Sequence, residues 1–307
     1  MPFRRACLCT LMIAGLATPV FSANIKAVAT FSILGDIVHQ IGGKAIDLNV
    51  LVGPDGDAHT FEPTPQDNVV LSKADIIFEN GLHFEHWLDN LYGASGSKAK
   101  RIVVSEGVIP RHLGDDQQDT DAQQGNSPGE IDPHIWHDVS NAVKIAEAVR
   151  DGLVSVDPKH ADTYTANASA YIDQLKELDM WTIATLSNID KDNRKLVTSH
   201  DTFGYFARRY GFIVIGTALE SPTTEAVDPS AKQMAELIGK IKDAGVAVVF
   251  TENIKSPKLI KTVAVETGVK VAPVLYTDAL GPKGSAGDTY IKMIQYNVGV
   301  ITKALTE

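Results

Sequence analysis

Short apolar runs alternate along the chain with stretches whose apolar residues recur every three to four positions. Ile25-Lys26-Ala27-Val28-Ala29, Leu48 to Val52, Ala74 to Phe78 and Ile102-Val103-Val104 read as strands. Between the first two, Ile33, Ile37, Val38 and Ile41 share one helical face. Asp67 to Ser72 begins a second helix, and another starts at Asn141. From Asp157-Pro158 to about Ile189 the pattern is one uninterrupted helix. Asp157 is placed as its N-cap, with Pro158 at the first helical position. Ala161, Tyr164, Ala168, Tyr171, Ile172, Leu175, Leu178 and Ile183 form its apolar face. At about 1.5 Å per residue such a helix spans roughly 45 Å.

The alternation then restarts. Leu196-Val197-Thr198, Ile213-Val214-Ile215, Val246 to Thr251 and Val269 to Val274 read as strands. Phe203 to Arg209, Ser230 to Ala244, Pro257 to Thr267 and Tyr290 to Leu305 read as helices. Strand-helix alternation predicts mostly parallel sheets covered on both faces. The expected fold class is therefore α/β, with two lobes, each a mostly parallel sheet flanked by helices, joined by one long helix. The expected boundaries are 24–156 for the first lobe, 157–190 for the linking helix and 191–307 for the second lobe.

Two segments break the pattern. Arg4 and Arg5 precede an apolar stretch from Ala6 to Ala17 and the small-residue run Val20-Phe21-Ser22-Ala23. This reads as a secretory signal peptide over residues 1–23, too short for a membrane span of about 20 apolar residues. Both cysteines, Cys7 and Cys9, fall inside it. Neither stands at the end of the apolar region, where a lipoprotein signal places its cysteine, so no lipid anchor is expected. The mature chain would carry no disulfide and no thiolate metal site. The second segment, Asp115 to Glu130, is rich in Asp, Gln and Gly and reads as a solvated loop.

Composition narrows the function. The formal net charge is −10, and loss of Arg4 and Arg5 with the signal, which holds no acid, takes it to about −12. An acidic chain lacks the basic footprint that nucleic acid requires.

Four segments place a metal-competent side chain just after a strand, where α/β sheets bind ligands. His59 lies in Gly53-Pro54-Asp55-Gly56-Asp57-Ala58-His59-Thr60-Phe61-Glu62-Pro63-Thr64-Pro65. Glycines and prolines there fix the turn, though a surface histidine fits the same pattern. His134 lies in Asp132-Pro133-His134-Ile135-Trp136-His137-Asp138, where His137 reads as a polar helix-start residue rather than a ligand. His200 lies in Thr198-Ser199-His200-Asp201-Thr202-Phe203-Gly204, at a helix mouth that disfavours imidazolium and favours the neutral, metal-binding ring. Asp278 lies in Leu275-Tyr276-Thr277-Asp278-Ala279-Leu280, and alone it reads equally as a turn or N-cap residue. Three imidazoles and one carboxylate make a four-ligand set for Zn²⁺. A bidentate carboxylate would add a fifth contact suited to Mn²⁺. A nitrogen-rich site favours zinc over manganese at equal free concentration. His83 and His86, flanking Glu85, are candidates for the rim of such a site, and His160 reads as solvated.

With these segments in hand, the chain resembles the cluster A-I solute-binding proteins of zinc and manganese ABC importers. The resemblance runs through Thr30-Phe31-Ser32-Ile33-Leu34-Gly35-Asp36, the loop from Asp57 to Pro65, Glu79-Asn80-Gly81-Leu82, Asp132 to Trp136, Thr198 to Phe206 and Tyr276 to Leu280. It implies two α/β lobes joined by one long rigid helix, with the metal between them. It implies His59 and His134 as ligands from the first lobe, and His200 and Asp278 from the second. It implies a periplasmic monomer that captures Zn²⁺, or alternatively Mn²⁺, as cargo for an ABC permease in the inner membrane. Manganese-preferring members often carry Glu where this chain has His200. Zinc-specific members often carry a histidine-rich loop near residues 115–130, and this chain has no histidine there. His137 lies where the family usually has an apolar residue.

Readings from other classes are a secreted metallohydrolase, a metal-independent surface adhesin and a periplasmic zinc buffer. The hydrolase needs an open metal position and a general base. The chain has no His-Glu-x-x-His motif, and Glu62, a loop carboxylate after His59, is weak evidence for a base. No enzyme is expected.

Overall fold

A strand that is apolar on both faces needs cover on both sides. β1 (Ile25–Phe31) is such a strand, with Ala27 to Phe31 all buried. In the computed structural model it sits inside a four-stranded parallel sheet with β2 (Ile46–Val52), β3 (Ile76–Glu79) and β4 (Lys100–Val103), in the order β2-β1-β3-β4. Residues 24–112, 130–219, 221, 223–225 and 229–307 are described. The expected signal peptide at 1–23, including Cys7 and Cys9, lies outside them, as does the loop 115–130 except its last residue.

Helices cover this sheet. α1 (Ser32–Gly42) buries the expected Ile33, Ile37, Val38 and Ile41. α2 (Pro65–Ser72) starts with a reciprocal cap between Thr64 and Asp67 and has proline in its first turn. α3 (Leu88–Ser95) is short, and only Leu88 and Leu91 are buried, so it gave no clear period in the sequence. α4 (Val139–Val156) starts two residues before Asn141, because the Asp138 side chain accepts from the Ser140 backbone N–H.

The linking helix is shorter than 157–190. α5 (Ala161–Leu186) has 26 residues, about 39 Å, and a 3-10 turn at Pro158–His160 leads into it. The Asp157 carboxylate accepts from the Tyr164 hydroxyl at 2.7 Å and pairs with His160 Nδ1 at 2.6 Å instead of capping the backbone. Thr182 and Leu186, rather than Ile183, complete its buried face, and Ile183 is exposed. α5 packs against α1 and α4, and also against α9 (Tyr290–Thr306) at the end of the chain.

The second lobe has β5 (Lys195–Thr198), α6 (Gly204–Tyr210), β6 (Ile213–Thr217), α7 (Ala231–Asp243), β7 (Val248–Val249), α8 (Lys258–Thr267) and β8 (Lys270–Val271). β5 pairs with β6 and β7 with β8, both in parallel. The Phe250 N–H donates to the Val197 carbonyl and sets the two pairs side by side. The strands expected over 246–251 and 269–274 are only two residues each, with one further bridge between Glu252 and Leu275. Pro273 has no N–H to offer the ladder. The fold is thus α/β, with two lobes of parallel strands flanked by helices.

One apolar cluster joins the lobes, running from Phe31, Phe78 and Trp136 through Leu175 to Phe206, Leu275 and Tyr290. A smaller cluster, including Val197, Leu237, Ile241, Val249 and Ile260, belongs to the second lobe. Among the described residues no helix is long and apolar enough to cross a membrane.

Candidate metal centre

The four singled-out side chains meet at one point, and all are buried. His59 comes from the loop after β2, His134 from the approach to α4, His200 from the turn after β5, and Asp278 from the bend after Leu275. Asp278 Oδ2 lies 3.2 Å from His59 Nε2, 3.7 Å from His134 Nε2 and 3.0 Å from His200 Nε2. His134 Nε2 lies 3.3 Å from both other imidazole Nε2 atoms. A tetrahedron with metal–ligand bonds of about 2.0–2.1 Å has edges of about 3.3 Å, so the spacing suits one small cation at the centre.

Each lobe aims its imidazoles by hydrogen bonds. His134 Nδ1 lies 2.8 Å from Asp132 Oδ1, and the His134 backbone N–H donates to the same oxygen. Asp132 Oδ2 takes a hydrogen bond from Arg111 Nη1 at 2.9 Å. Gly204 leaves room for that pair, since a Cβ there would stand 2.1 Å from Arg111 Nη1. His200 Nδ1 lies 2.5 Å from Glu252 Oε2, while Glu252 Oε1 accepts from the Ser199 and His200 backbone N–H groups. An Nδ1–H given to a carboxylate leaves the Nε2 lone pair facing the centre, the tautomer that ligates metal. His59 packs edge-on against Phe84, and its backbone N–H donates to Asp57.

The charges interlock. Burial works against protonation of His134, but Asp278 and Asp132 outweigh it and push the ring up to about 9. Burial likewise opposes His200, and Glu252 and Asp278 still hold it well above its ordinary value. The expected neutralising effect of the helix mouth on His200 is therefore overturned: two buried carboxylates outweigh a seven-residue helix. Burial sets His59 below its usual value despite Asp278. Asp278 is buried too, yet His200 and His134 hold it well below the carboxylate range. Metal-free, the centre is a buried ion cluster. A cation would take the place of protons on Nε2.

His137 is buried but is not part of the convergent group. Its Nε2 lies 3.1 Å from Thr202 Oγ1, and that hydroxyl donates to Asp278 Oδ1 at 3.1 Å. Burial drives His137 down to about 3, so the ring is neutral. His83 and His86 are exposed, and His86 pairs with Glu225 at 3.4 Å. His160 is half-buried on Asp157, away from the four. Glu62 is exposed and lies outside the cluster. Sequence reasoning passed over Asp132, Glu252, Arg111 and Thr202. The Asp-x-His spacing carried a local signal for Asp132, but nothing local marks Glu252, 52 residues from His200.

Comparison with known proteins agrees with this architecture. Residues 27–304 match the family described as "Zinc-uptake complex component A periplasmic". The manganese-binding lipoprotein MntA of Halalkalibacterium halodurans is 33% identical over 284 residues, covering 92% of this chain and 89% of the relative. The iron-binding protein YfeA of Yersinia pestis is 34% identical over 280 residues, covering 91% and 86%. The periplasmic zinc-binding protein TroA of Treponema pallidum superposes with a TM-score of 0.82 at 29% identity, covering 92% of this chain and 99% of that one. The chain belongs to this zinc-uptake component family, the substrate-binding proteins of metal ABC transporters, and it is not an enzyme.

Proposed function

We propose that this protein captures Zn²⁺ in the periplasm through His59, His134, His200 and Asp278 and hands it to an ABC permease. The observation that carries the reading is the convergence of three imidazole Nε2 atoms on one carboxylate oxygen at 3.0–3.7 Å in a buried site. Nitrogen-rich, four-coordinate geometry favours zinc over manganese. In this reading residues 24–156 and 191–307 each supply two ligands and 157–190 act as the strut. The core common to both lobes resists wide hinge opening, so release proceeds by small lobe tilts and loop movement. A permease must stabilise the open form, since only differential interaction shifts the equilibrium.

Manganese is the second reading. It is favoured by a relative, 33% identical, that is itself named manganese-binding. The test is a competition titration of the metal-stripped mature chain with both ions, with His200→Ala as control. Zinc binding that manganese cannot displace, lost in the variant, is the expected result. Tighter manganese binding would move the cargo to manganese. Failure to bind either ion stoichiometrically would overturn the site.

A further inference from the structure

His137 is an expensive residue for its place. Its ring lies between Phe203, with centroids 4.6 Å apart, and Trp136, 5.8 Å away, and its Nδ1 is buried with no hydrogen-bond partner among the described residues. Burying an imidazole this way costs desolvation that a hydrocarbon would avoid. The one polar contact that compensates runs from Nε2 to Thr202 Oγ1.

The proton inventory fixes the direction of that contact. An ionised carboxylate only accepts, so the single Thr202 hydroxyl proton goes to Asp278 Oδ1. Thr202 Oγ1 must then accept from His137, which carries its proton on Nε2. The relay reads His137 Nε2–H to Thr202 Oγ1, then Thr202 O–H to Asp278 Oδ1. It occupies one carboxylate oxygen and leaves Oδ2, the atom facing the three imidazoles, for a cation.

We propose that His137 and Thr202 are positioning residues that hold Asp278 as a one-oxygen ligand and so tune the site toward four-coordinate zinc and away from manganese. With Oδ1 free, the carboxylate can turn to offer both oxygens, and the fifth contact serves a cation that prefers more ligands, most of them oxygen. His137 never touches the ion in this arrangement; it acts through the hydroxyl. The inference rests on the proposed four-residue metal site.

The experiment uses the mature chain, wild type and variants, with zinc–manganese competition and the visible spectrum of the Co²⁺-substituted protein as readouts. Four-coordinate Co²⁺ absorbs much more strongly than five- or six-coordinate Co²⁺. In Thr202→Val and His137→Leu the ratio of zinc to manganese affinity falls by about tenfold or more, and the cobalt band weakens. Thr202→Ser and His137→Gln, which keep a hydroxyl and a donor, restore both readouts. If His137→Leu fails to fold, Thr202→Val, nearly the same shape, decides. An unchanged ratio and spectrum in Thr202→Val would overturn the relay while leaving the metal site standing. Equal losses in Thr202→Ser and Thr202→Val would overturn it in favour of packing. No metal binding by the wild type would overturn both proposals.

Discussion

The two lobes contribute equally to the centre but are built by different means. The first is a four-stranded parallel sheet with seven-residue strands at β1 and β2. Around it, Trp87 Nε1 donates to the Ala58 carbonyl and Asn80 Nδ2 to the Pro133 carbonyl, and the buried Asp132 carboxylate holds the His134 ring and backbone N–H. The second has two-residue strands at β7 and β8 and a small core of its own. There one buried carboxylate, Glu252, holds two backbone N–H groups and the His200 ring. Each lobe thus sets one buried carboxylate behind an imidazole, and the lobes differ in the sheet and core that carry it. Regions with fewer apolar contacts open at lower free energy, so the second lobe is expected to open first.

The largest test asks whether the lobes are equal partners in binding. His134→Ala and His200→Ala should each weaken zinc binding by at least about a hundredfold in a competition titration, since each removes one of four ligands. A loss confined to one lobe would break the symmetry of the site. The next test concerns the frame. Leu34→Ala, in the common core, should cost near the top of the range of about 2–5 kcal/mol for such changes, and Leu237→Ala near the bottom. Denaturant unfolding measures both, and a reversed order would show that the smaller cluster is the stiffer one. Replacing the carboxylates behind the imidazoles, with Asp132→Asn and Glu252→Gln, should cost about 10–100-fold in metal affinity.

Proton linkage gives a smaller, signed effect. His134 is raised from its ordinary 6.5 to about 9 in the metal-free protein. Its contribution to the stability of that form is fully present below pH 6.5 and is lost as pH rises toward 9. Metal must displace the same proton, so affinity rises with pH over this window by about tenfold per unit for each proton released. Melting of the metal-free protein and metal titration, followed from pH 6.5 to 9, should therefore show opposite slopes. The smallest effect is at the rim: His86→Ala breaks a half-exposed pair with Glu225 and should change stability by less than about 1 kcal/mol.

What the sequence made legible divides along the same line. In the first lobe the strand read over Ile25 to Ala29 is present and runs on to Phe31, and the helical face of α1 is buried as read. In the second lobe local pattern overstated the strands, because apolar runs such as Val269 to Val274 resemble strands whether or not a partner completes the ladder. The convergence of His59, His134, His200 and Asp278 was suggested by strand-end placement and by family resemblance. Their supports were not, because Glu252 and Thr202 act through contacts that only the folded chain creates. His137 was read as a polar helix-start residue; it is a fully packed ring, and its burial follows from Phe203 on the other lobe.

The positions of the four donors, at residues 59, 134, 200 and 278, have a mechanical consequence. On the proposed site, a bound ion would tie together stretches of chain far apart in sequence, as a crosslink does in a polymer network. An unfolded chain cannot keep those four donors in place, so cargo selects the folded form, adding about 4.1 kcal/mol when free metal stands a thousandfold above its dissociation constant. Resistance to digestion then becomes a gauge of occupancy. Proteases sharing the compartment would clear empty molecules before loaded ones, and the pool of carrier would follow the supply of its ion.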